Sequence, residues 1–360
     1  MKPAIKITKT NQSRINEVDF DNIPFGRVFS DHMFVADYYD GQWQDYRIVP
    51  FANFEIHPAS MVLHYGQSIF EGMKASVSQS GKAMFLSPEL HAQRLNTSAE
   101  RMCMPTFPEE VFLEALHALV NLDQAWIPPQ TGSALYIRPL MFATDEFIGV
   151  KPSHNYRMLI FTGPVGPYYP KPVSLLAEDK YIRAAVGGVG AAKTAGNYAA
   201  SLLPARLANE KGYDQVLWLD GKDFKYVQEV GTMNIFFVLN GKVITPPTDE
   251  NTILKGITRK MAIQILEDNG YQVEVRKLSM DEIVEAYNKG QFQEAFGTGT
   301  AAVVAKVSKV AYKDMVMELD QNTAKIGQVI KDHIDGLRNG TVADKWNWIV
   351  PVKEMAAVEL

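Results

Sequence analysis

Residues 187–201 read GGVGAAKTAGNYAAS and restrict this chain more than any other stretch, because one lysine, Lys193, is set among glycines and alanines with Tyr198 close behind. Gly187, Gly188, Gly190 and Gly196 let the backbone reach positive φ and lie close to another molecule, a freedom that costs folding entropy and needs a reason. A lysine amid small apolar side chains is poorly solvated. Desolvation disfavours its ammonium form and suits an amine that attacks a carbonyl to form a Schiff base. For this stretch alone, a glycine-rich surface loop with a solvated lysine is the alternative.

The 360 residues exceed one ordinary core and predict two domains. A net charge of −5 leaves no electrostatic footprint for nucleic acid. The one cysteine, Cys103, excludes an internal disulfide and a Cys-rich zinc site, so no metal centre is expected and a reducing compartment fits. Its place between Met102 and Met104 reads as core. No apolar run is long enough to span a bilayer, and the N-terminus lacks a signal-peptide apolar region. Lys2, Lys6, Lys9 and Arg14 precede Glu17 and leave a transit peptide open, but IKIT reads as a strand, and the expectation is a cytoplasmic protein.

In chain order, Asp40-Gly41 and Ser80-Gly81 read as hairpin turns, and residues 63–75, LHYGQSIFEGMKA, bring Tyr65, Phe70, Glu71 and a second lysine, Lys74. Ser87-Pro88 opens a helix with an N-cap serine that runs to about Cys103 and carries Arg94, which is either paired or solvated, or else recognises phosphate. Pro108 opens an amphipathic helix. The strand ALYIRPLMF puts Tyr136 and Arg138 on one face. The proline-rich GPVGPYYPKPV holds Tyr168 and Tyr169 and reads as a linker.

Beyond the lysine stretch, a helix is expected over 198–211, with Pro204 in conflict unless it lies in the first turn. The strands that follow, through DQVLWLD, EVGTMNIFFV and an Asn240-Gly241 hairpin, predict a largely antiparallel sheet. Glu229 falls inside an apolar strand and therefore needs a cation. Gly256 precedes a helix whose first N–H groups, at Ile257 and Thr258, can hold an anion, and Gly270 stops it. Ser279 and Glu282 form a capping box. The run 297–300, GTGT, reads as a break in the last strand, either a turn offering N–H groups to an anion or a simple bulge.

A poorly solvated lysine, a carboxylate in a strand, two anion sites and a nearby tyrosine are the parts of a pyridoxal-phosphate site. With LHYGQSIFEGMKA, ALYIRP, GPVGPYYP, GGVGAAKTAGNYAAS, QVLWLD, EVGTMNIFFV, GITR and FGTGTA in family order, the chain closely resembles the branched-chain amino-acid aminotransferases of the fold-type IV pyridoxal-phosphate class, from about Asp21 onward. The resemblance implies a two-domain α/β enzyme of α+β type with largely antiparallel or mixed sheets. It divides the chain into a smaller domain over 1–162, an interdomain loop over 163–174 and a cofactor-binding domain over 175–360, with the cofactor at the domain interface. Lys193 would be the Schiff-base lysine and proton carrier, leaving Lys74 a surface or supporting residue. Glu229 would meet the pyridinium nitrogen and Tyr198 the phenolic oxygen, while Arg94, Ile257, Thr258 and Thr300 would hold the phosphate. Tyr65, Phe70, Tyr136 and Tyr168 would line the substrate pocket, Thr232 and Ala301 would receive the α-carboxylate, and Arg138 the glutamate γ-carboxylate.

The same resemblance implies a homodimer in which a loop with Ile148 and Val150 reaches the partner's active site. Ala302 and Ala305 stand where mammalian members carry a CxxC pair, so thiol regulation of that kind is not expected. The implied reaction is a ping-pong transfer from leucine, isoleucine or valine to 2-oxoglutarate. A D-amino-acid aminotransferase, an aminodeoxychorismate lyase and a non-catalytic cofactor-binding protein are the alternatives. The aromatic pocket and EVGTMN disfavour the first two, and Lys193, Tyr198 and Glu229 together disfavour the third.

Overall fold

Turn chemistry lays out the first sheet. Asp40 and Gly41 take φ of 53° and 77°, the left-handed pair that joins β2 (His32–Tyr39) to β3 (Gln42–Pro50) as a hairpin. The computed structural model describes residues 4–130, 132–166 and 171–354. It divides into two units, one of residues 1–168, 192–195 and 335–360, the other of 169–191 and 196–334.

In the first unit β1 (Lys6–Ile7) lies parallel to β3, and every other pairing is antiparallel. After the short helix α1 (Met61–Tyr65) come β4 (Ser68–Phe70), β5 (Met73–Val77) and β6 (Ala83–Leu86), then β7 (Ala134–Ala143) and β8 (Tyr156–Val165). The sheet runs β1-β3-β2-β8-β7-β5-β6 and ends on the strand Ile349–Pro351, with β4 paired to β7. Helices α2 (Pro88–Arg101) and α3 (Glu109–Leu122) bury Leu95, Ala99, Phe112, Leu116 and Leu119 in one core with Phe34, Ile48 and Ile137. Ser87 does precede α2, but at φ 46° and without a side-chain cap bond; its N–H donates to Trp348 O at 2.7 Å, so Pro88 alone gives the helix its start signal. Cys103 is exposed at φ 53°, in the turn after α2, and Met104 takes the core position instead.

In the second unit α4 (Ala195–Ala200, whose first residue belongs to the other unit) and α5 (Leu202–Glu210) replace the single expected helix, breaking at Ser201 so that Pro204 sits in the first turn of α5, where it costs no hydrogen bond. The strands are β9 (Val173–Ala177), β10 (Gln215–Leu219), β11 (Val227–Val230), β12 (Met233–Leu239), β13 (Lys242–Thr245), β14 (Val273–Val275), β15 (Phe292–Gly299), β16 (Val303–Tyr312) and β17 (Met315–Glu318). Their order is β11-β10-β9-β16-β15-β12-β13-β14, and β11 also pairs with β12, so six strands close into a ring. Parallel pairs at β9/β10, β9/β16 and β13/β14 make this a mixed sheet, as the expected fold class requires. Around it stand α6 (Ile257–Asp268), α7 (Met280–Asn288) and α8 (Ile326–Asn339, whose last residues belong to the first unit). Ser279 caps α7 by accepting from Glu282 N at 3.1 Å, as its sequence predicts. No helix among the described residues is long and apolar enough to cross a membrane, and no described cluster of side chains could hold a metal ion.

The C-terminal segment is tied to α3 by a titratable bond. Lys353 N–H donates to Nδ1 of the buried His117 at 3.1 Å, and burial, with the Lys353 charge adding to it, pushes that imidazole down from 6.5 to about 4. Above pH 6.5 the ring is neutral whether the chain is folded or not; between pH 6.5 and about 4 only the unfolded chain takes the proton, so stability is lost as pH falls through that window. His117→Gln, which cannot titrate, is expected to show a smaller drop in urea midpoint than the parent protein across the same pH interval.

Candidate active site

Lys193 is moored by its backbone within the first unit. Its C=O accepts from Phe70 N at 3.0 Å, its N–H donates to Ser98 Oγ at 3.0 Å, and Thr194 Oγ1 donates to Ser68 O at 2.7 Å. Ile69 and Thr194 form an antiparallel bridge, so the lysine lies alongside β4 as a short added strand. The Lys193 Nζ sits 4.7 Å from the centroid of the Phe70 ring, in cation–π geometry.

Arg94 is on the same helix face as His91 and Ser98, at helical spacing. Its Nε and Nη2 donate to the two oxygens of Glu71 at 2.7 and 2.8 Å, and His91 Nδ1 donates to Glu71 Oε2 at 2.8 Å. Glu71 is wholly buried. Burial alone would raise its carboxyl; the Arg94 charge and the bonds from Arg94 and His91 override that and hold it far below the usual carboxylate range. His91 is pushed down by burial against the pull of Glu71, so it serves as a neutral donor. The two-point pairing through Nε and Nη2 fixes the plane of the Arg94 fork, and a guanidinium oriented in this way is suited to holding an anion.

Tyr136 and Arg138 project from one face of β7, as predicted. Arg138 Nη2 donates to Tyr136 Oη at 3.0 Å, and its Cζ lies 4.8 Å from the Phe70 centroid and 5.3 Å from that of Tyr136. Lys193 and Arg138 thus share one aromatic ring. Arg138 and Tyr136 line a cavity of 230 Å³ with Phe25, Val28 and Phe161. Tyr65 ends α1 and is 40% exposed, and the described contacts do not join it to this group. Tyr168 lies outside the described residues. Lys74 is buried on β5, paired in register with Tyr136, so it is a supporting rather than a surface residue.

In the second unit Glu229 on β11 is 2% exposed and receives the cation its strand requires from Arg183, with Nε 2.6 Å from Oε2. Arg183 is itself fixed by the carbonyls of Thr252 at 2.8 Å and Gly190 at 3.2 Å. Asn234, opposite Glu229 in the β11–β12 hairpin, donates to Glu229 Oε1 at 3.1 Å and to Leu254 O at 2.9 Å. Thr232 is exposed in the turn of that hairpin. The same asparagine seats α6: a Cβ on Gly256 would lie 1.8 Å from Asn234 Oδ1. Lys260 N is an in-helix donor to Gly256 O, so the helix itself leaves the N–H groups of Ile257 and Thr258 to other acceptors. Tyr198 is half-buried on α4.

The GTGT run does not break its strand. Gly297, Thr298 and Gly299 pair in register with Ala305, Val304 and Val303, and the turn comes later, at Thr300, Ala301 and Ala302, closed by Val303 at φ 62°. Glycine at 297 serves packing instead, since a Cβ there would meet Met233 Cε at 2.9 Å and Val230 Cγ1 at 3.0 Å. Thr298 Oγ1 is buried without a hydrogen-bond partner among the described residues, an acceptor or donor left for a ligand.

Arg183, Asn234, His91 and Ser98 were not singled out from sequence. Only Arg183 carried a signal, in the unmet charge of Glu229. The kinds of donor pyridoxal phosphate needs are present in each unit taken by itself: an amine and a clamped guanidinium in the first, a buried carboxylate and a helix N-terminus without a side chain at its cap in the second.

Residues 68–310 match the family model for class IV aminotransferases, and the chain belongs to that family. It is 46% identical over 356 residues, 98% of either chain, to branched-chain-amino-acid aminotransferase 2 of Bacillus subtilis strain 168. Its fold is similar to the crystal structure of the Escherichia coli branched-chain amino acid aminotransferase, with a TM-score of 0.72 at 27% identity over 88% of this chain and 99% of that one. The T.th. branched-chain amino acid aminotransferase complexed with N-(5′-phosphopyridoxyl)-L-glutamate gives a TM-score of 0.70 at 26% identity, over 88% and 98% of the two chains. Within its class, this chain is a branched-chain-amino-acid aminotransferase.

Glycine at 72 is demanded by Tyr136, because a Cβ there would stand 2.2 Å from Tyr136 Oη. Gly72→Ala is expected to lower stability by about 1–3 kcal/mol through overpacking. In a Tyr136→Phe background, where the hydroxyl is gone, urea unfolding should show the alanine costing markedly less.

Proposed function

We propose that this enzyme holds pyridoxal 5′-phosphate and transfers the amino group of leucine, isoleucine or valine to 2-oxoglutarate in two half-reactions. The observation that carries the reading is the Phe70 ring, which has the Lys193 ammonium within 4.7 Å and the Arg138 guanidinium within 4.8 Å of its centroid. An amine for chemistry and a cation for carboxylate recognition thereby share one apolar surface. The phosphopyridoxyl-glutamate complex of the T.th. relative supports the choice of cofactor.

The bound cofactor supplies an aldehyde for amines and a ring that accepts electrons. Arg94, the amides of Ile257 and Thr258, and Thr300 would hold its phosphate. Glu229 would accept from the ring nitrogen, a carboxylate being an acceptor on both oxygens. Tyr198 would donate to the phenolic oxygen. The Lys193 amine would take the proton from the substrate Cα and return it, as general base and then acid.

Phe70 and Tyr136 would form the apolar wall for the branched side chain, and Thr232 with the amide of Ala301 would receive the α-carboxylate. An apolar wall separates substrates that differ by a methylene by only about 1–3 kcal/mol, so three branched side chains can share it. Arg138 binds the γ-carboxylate when glutamate occupies the same place. Ile148 and Val150, 65% and 90% exposed, support a homodimer in which this loop enters the partner's site.

An absorbance spectrum of the purified protein tests the whole reading. The visible cofactor band should fall with L-leucine and persist with D-alanine; a response to D-alanine alone would assign the enzyme to the opposite enantiomer. Lys193→Ala is expected to reduce turnover by more than about 10²-fold in steady-state assays. Arg138→Met should raise the KM for glutamate on the order of 10- to 100-fold while the leucine half-reaction changes much less. Equal losses in stopped-flow traces of the two half-reactions would refute that role.

A further inference from the structure

Two side chains that none of the assigned roles uses, Ser98 and Glu71, join Arg94 to Lys193 through a closed circuit in the first unit. Ser98 is wholly buried. Its hydroxyl donates to Arg94 O at 3.0 Å, inside its own helix, and accepts from Lys193 N–H at 3.0 Å. The one hydroxyl proton is spent on α2 and a lone pair on the lysine, so the group has a fixed orientation. From the other side, Phe70 N–H donates to Lys193 O at 3.0 Å, and the next residue in the chain, Glu71, holds the Arg94 guanidinium at 2.7 and 2.8 Å. The circuit therefore runs from Lys193 through Ser98 and α2 to Arg94, through Glu71 and Phe70, and back to Lys193. Neither its serine nor its glutamate is needed to touch a ligand.

We propose that Ser98 and Glu71 are positioning residues that fix the separation between the phosphate-binding arginine and the reactive lysine. The inference rests on the roles given above to Arg94 and Lys193. A cofactor anchored at its phosphate and attacked at its aldehyde requires those two groups at a set distance, and misplacement of a reacting group is costly in binding and rate. The two residues act on different ends. Glu71 orients the guanidinium, so it affects any phosphate. Ser98 orients the lysine backbone relative to α2, so it matters only to a ligand that engages both groups.

The test is calorimetric titration of the apo-protein with inorganic phosphate and with pyridoxal phosphate. Ser98→Ala should bind inorganic phosphate within about twofold of the parent and pyridoxal phosphate about tenfold more weakly, the loss expected when a partly buried N–H loses its acceptor. Glu71→Gln should weaken both ligands. If the alanine variant does not fold, Ser98→Thr and Ser98→Val replace it: they have the same size, only threonine keeps the hydroxyl, and threonine should bind pyridoxal phosphate about tenfold more tightly than valine.

Unchanged pyridoxal phosphate affinity in Ser98→Ala, an equal loss for both ligands, or equal binding by the threonine and valine variants would overturn the proposal while leaving the cofactor reading intact. Arg94→Gln serves as the control on that reading. Should it bind both ligands as the parent does, the phosphate role of Arg94 fails, and this inference fails with it.

Discussion

A carboxylate without any exposed surface at Glu71 obliges the surrounding structure to neutralise it, and the first unit is arranged to do so. Two donors from Arg94, one from His91 and the Gly72 N–H at 3.2 Å converge on it. Removing one partner of such a buried pair leaves a charge stranded in low dielectric, at a cost of about 3–5 kcal/mol. That penalty makes the rotation of α2 about its axis specific: only one face brings His91 and Arg94 to Glu71, and the same face carries Ser98 to Lys193. Electrostatic necessity at one residue thus helps to set the position of the lysine.

The second unit solves a similar problem at Glu229 by other means. Here one guanidinium, from Arg183, is shared between the carboxylate and two backbone carbonyls, and Asn234 bridges the carboxylate to Leu254 O while its own carbonyl oxygen excludes any side chain from position 256. The buried acid and the start of α6 are therefore registered by a single amide. Arg259, two residues into that helix, reinforces it by donating to Pro246 O at 2.8 Å. A helix N-terminus held so closely to a hairpin presents its N–H groups at a fixed place, which is what anion binding by backbone donors needs.

Local signals were legible in the sequence, and partners were not. The Asp40-Gly41 hairpin, the Ser279 capping box and the stop of α6 before Gly270 each depend on residues within a few positions of one another, where backbone sterics decide. Lys193, Glu229 and Arg138 stood out because each is a charge placed among apolar or small residues, whereas Arg94 drew its role from the family resemblance alone. By contrast Ser98 lies 95 positions from Lys193, and nothing in a helical serine announces a distant N–H. The same limit explains the GTGT run: its glycines suggested a turn, but they are there to let Met233 and Val230 pack across the sheet, a requirement visible only once β12 lies beside β15. Ser87 misled for the opposite reason, since a residue type suited to capping is diverted by the carbonyl of Trp348.

The division of the chain has a consequence for biosynthesis. The first unit contains residues 192–195 and 335–360 as well as the N-terminal portion, and β6 has the late strand Ile349–Pro351 as its neighbour. Domains generally fold as they emerge from the ribosome, the N-terminal one first. Here the first 168 residues emerge with β6 as an open edge, and they acquire their last strand only after the whole six-stranded ring has been synthesised. An exposed strand edge is a template for pairing with other chains. The nascent protein therefore passes through a long interval in which its earliest-made part keeps an unpaired edge, open to other chains until the last strand arrives.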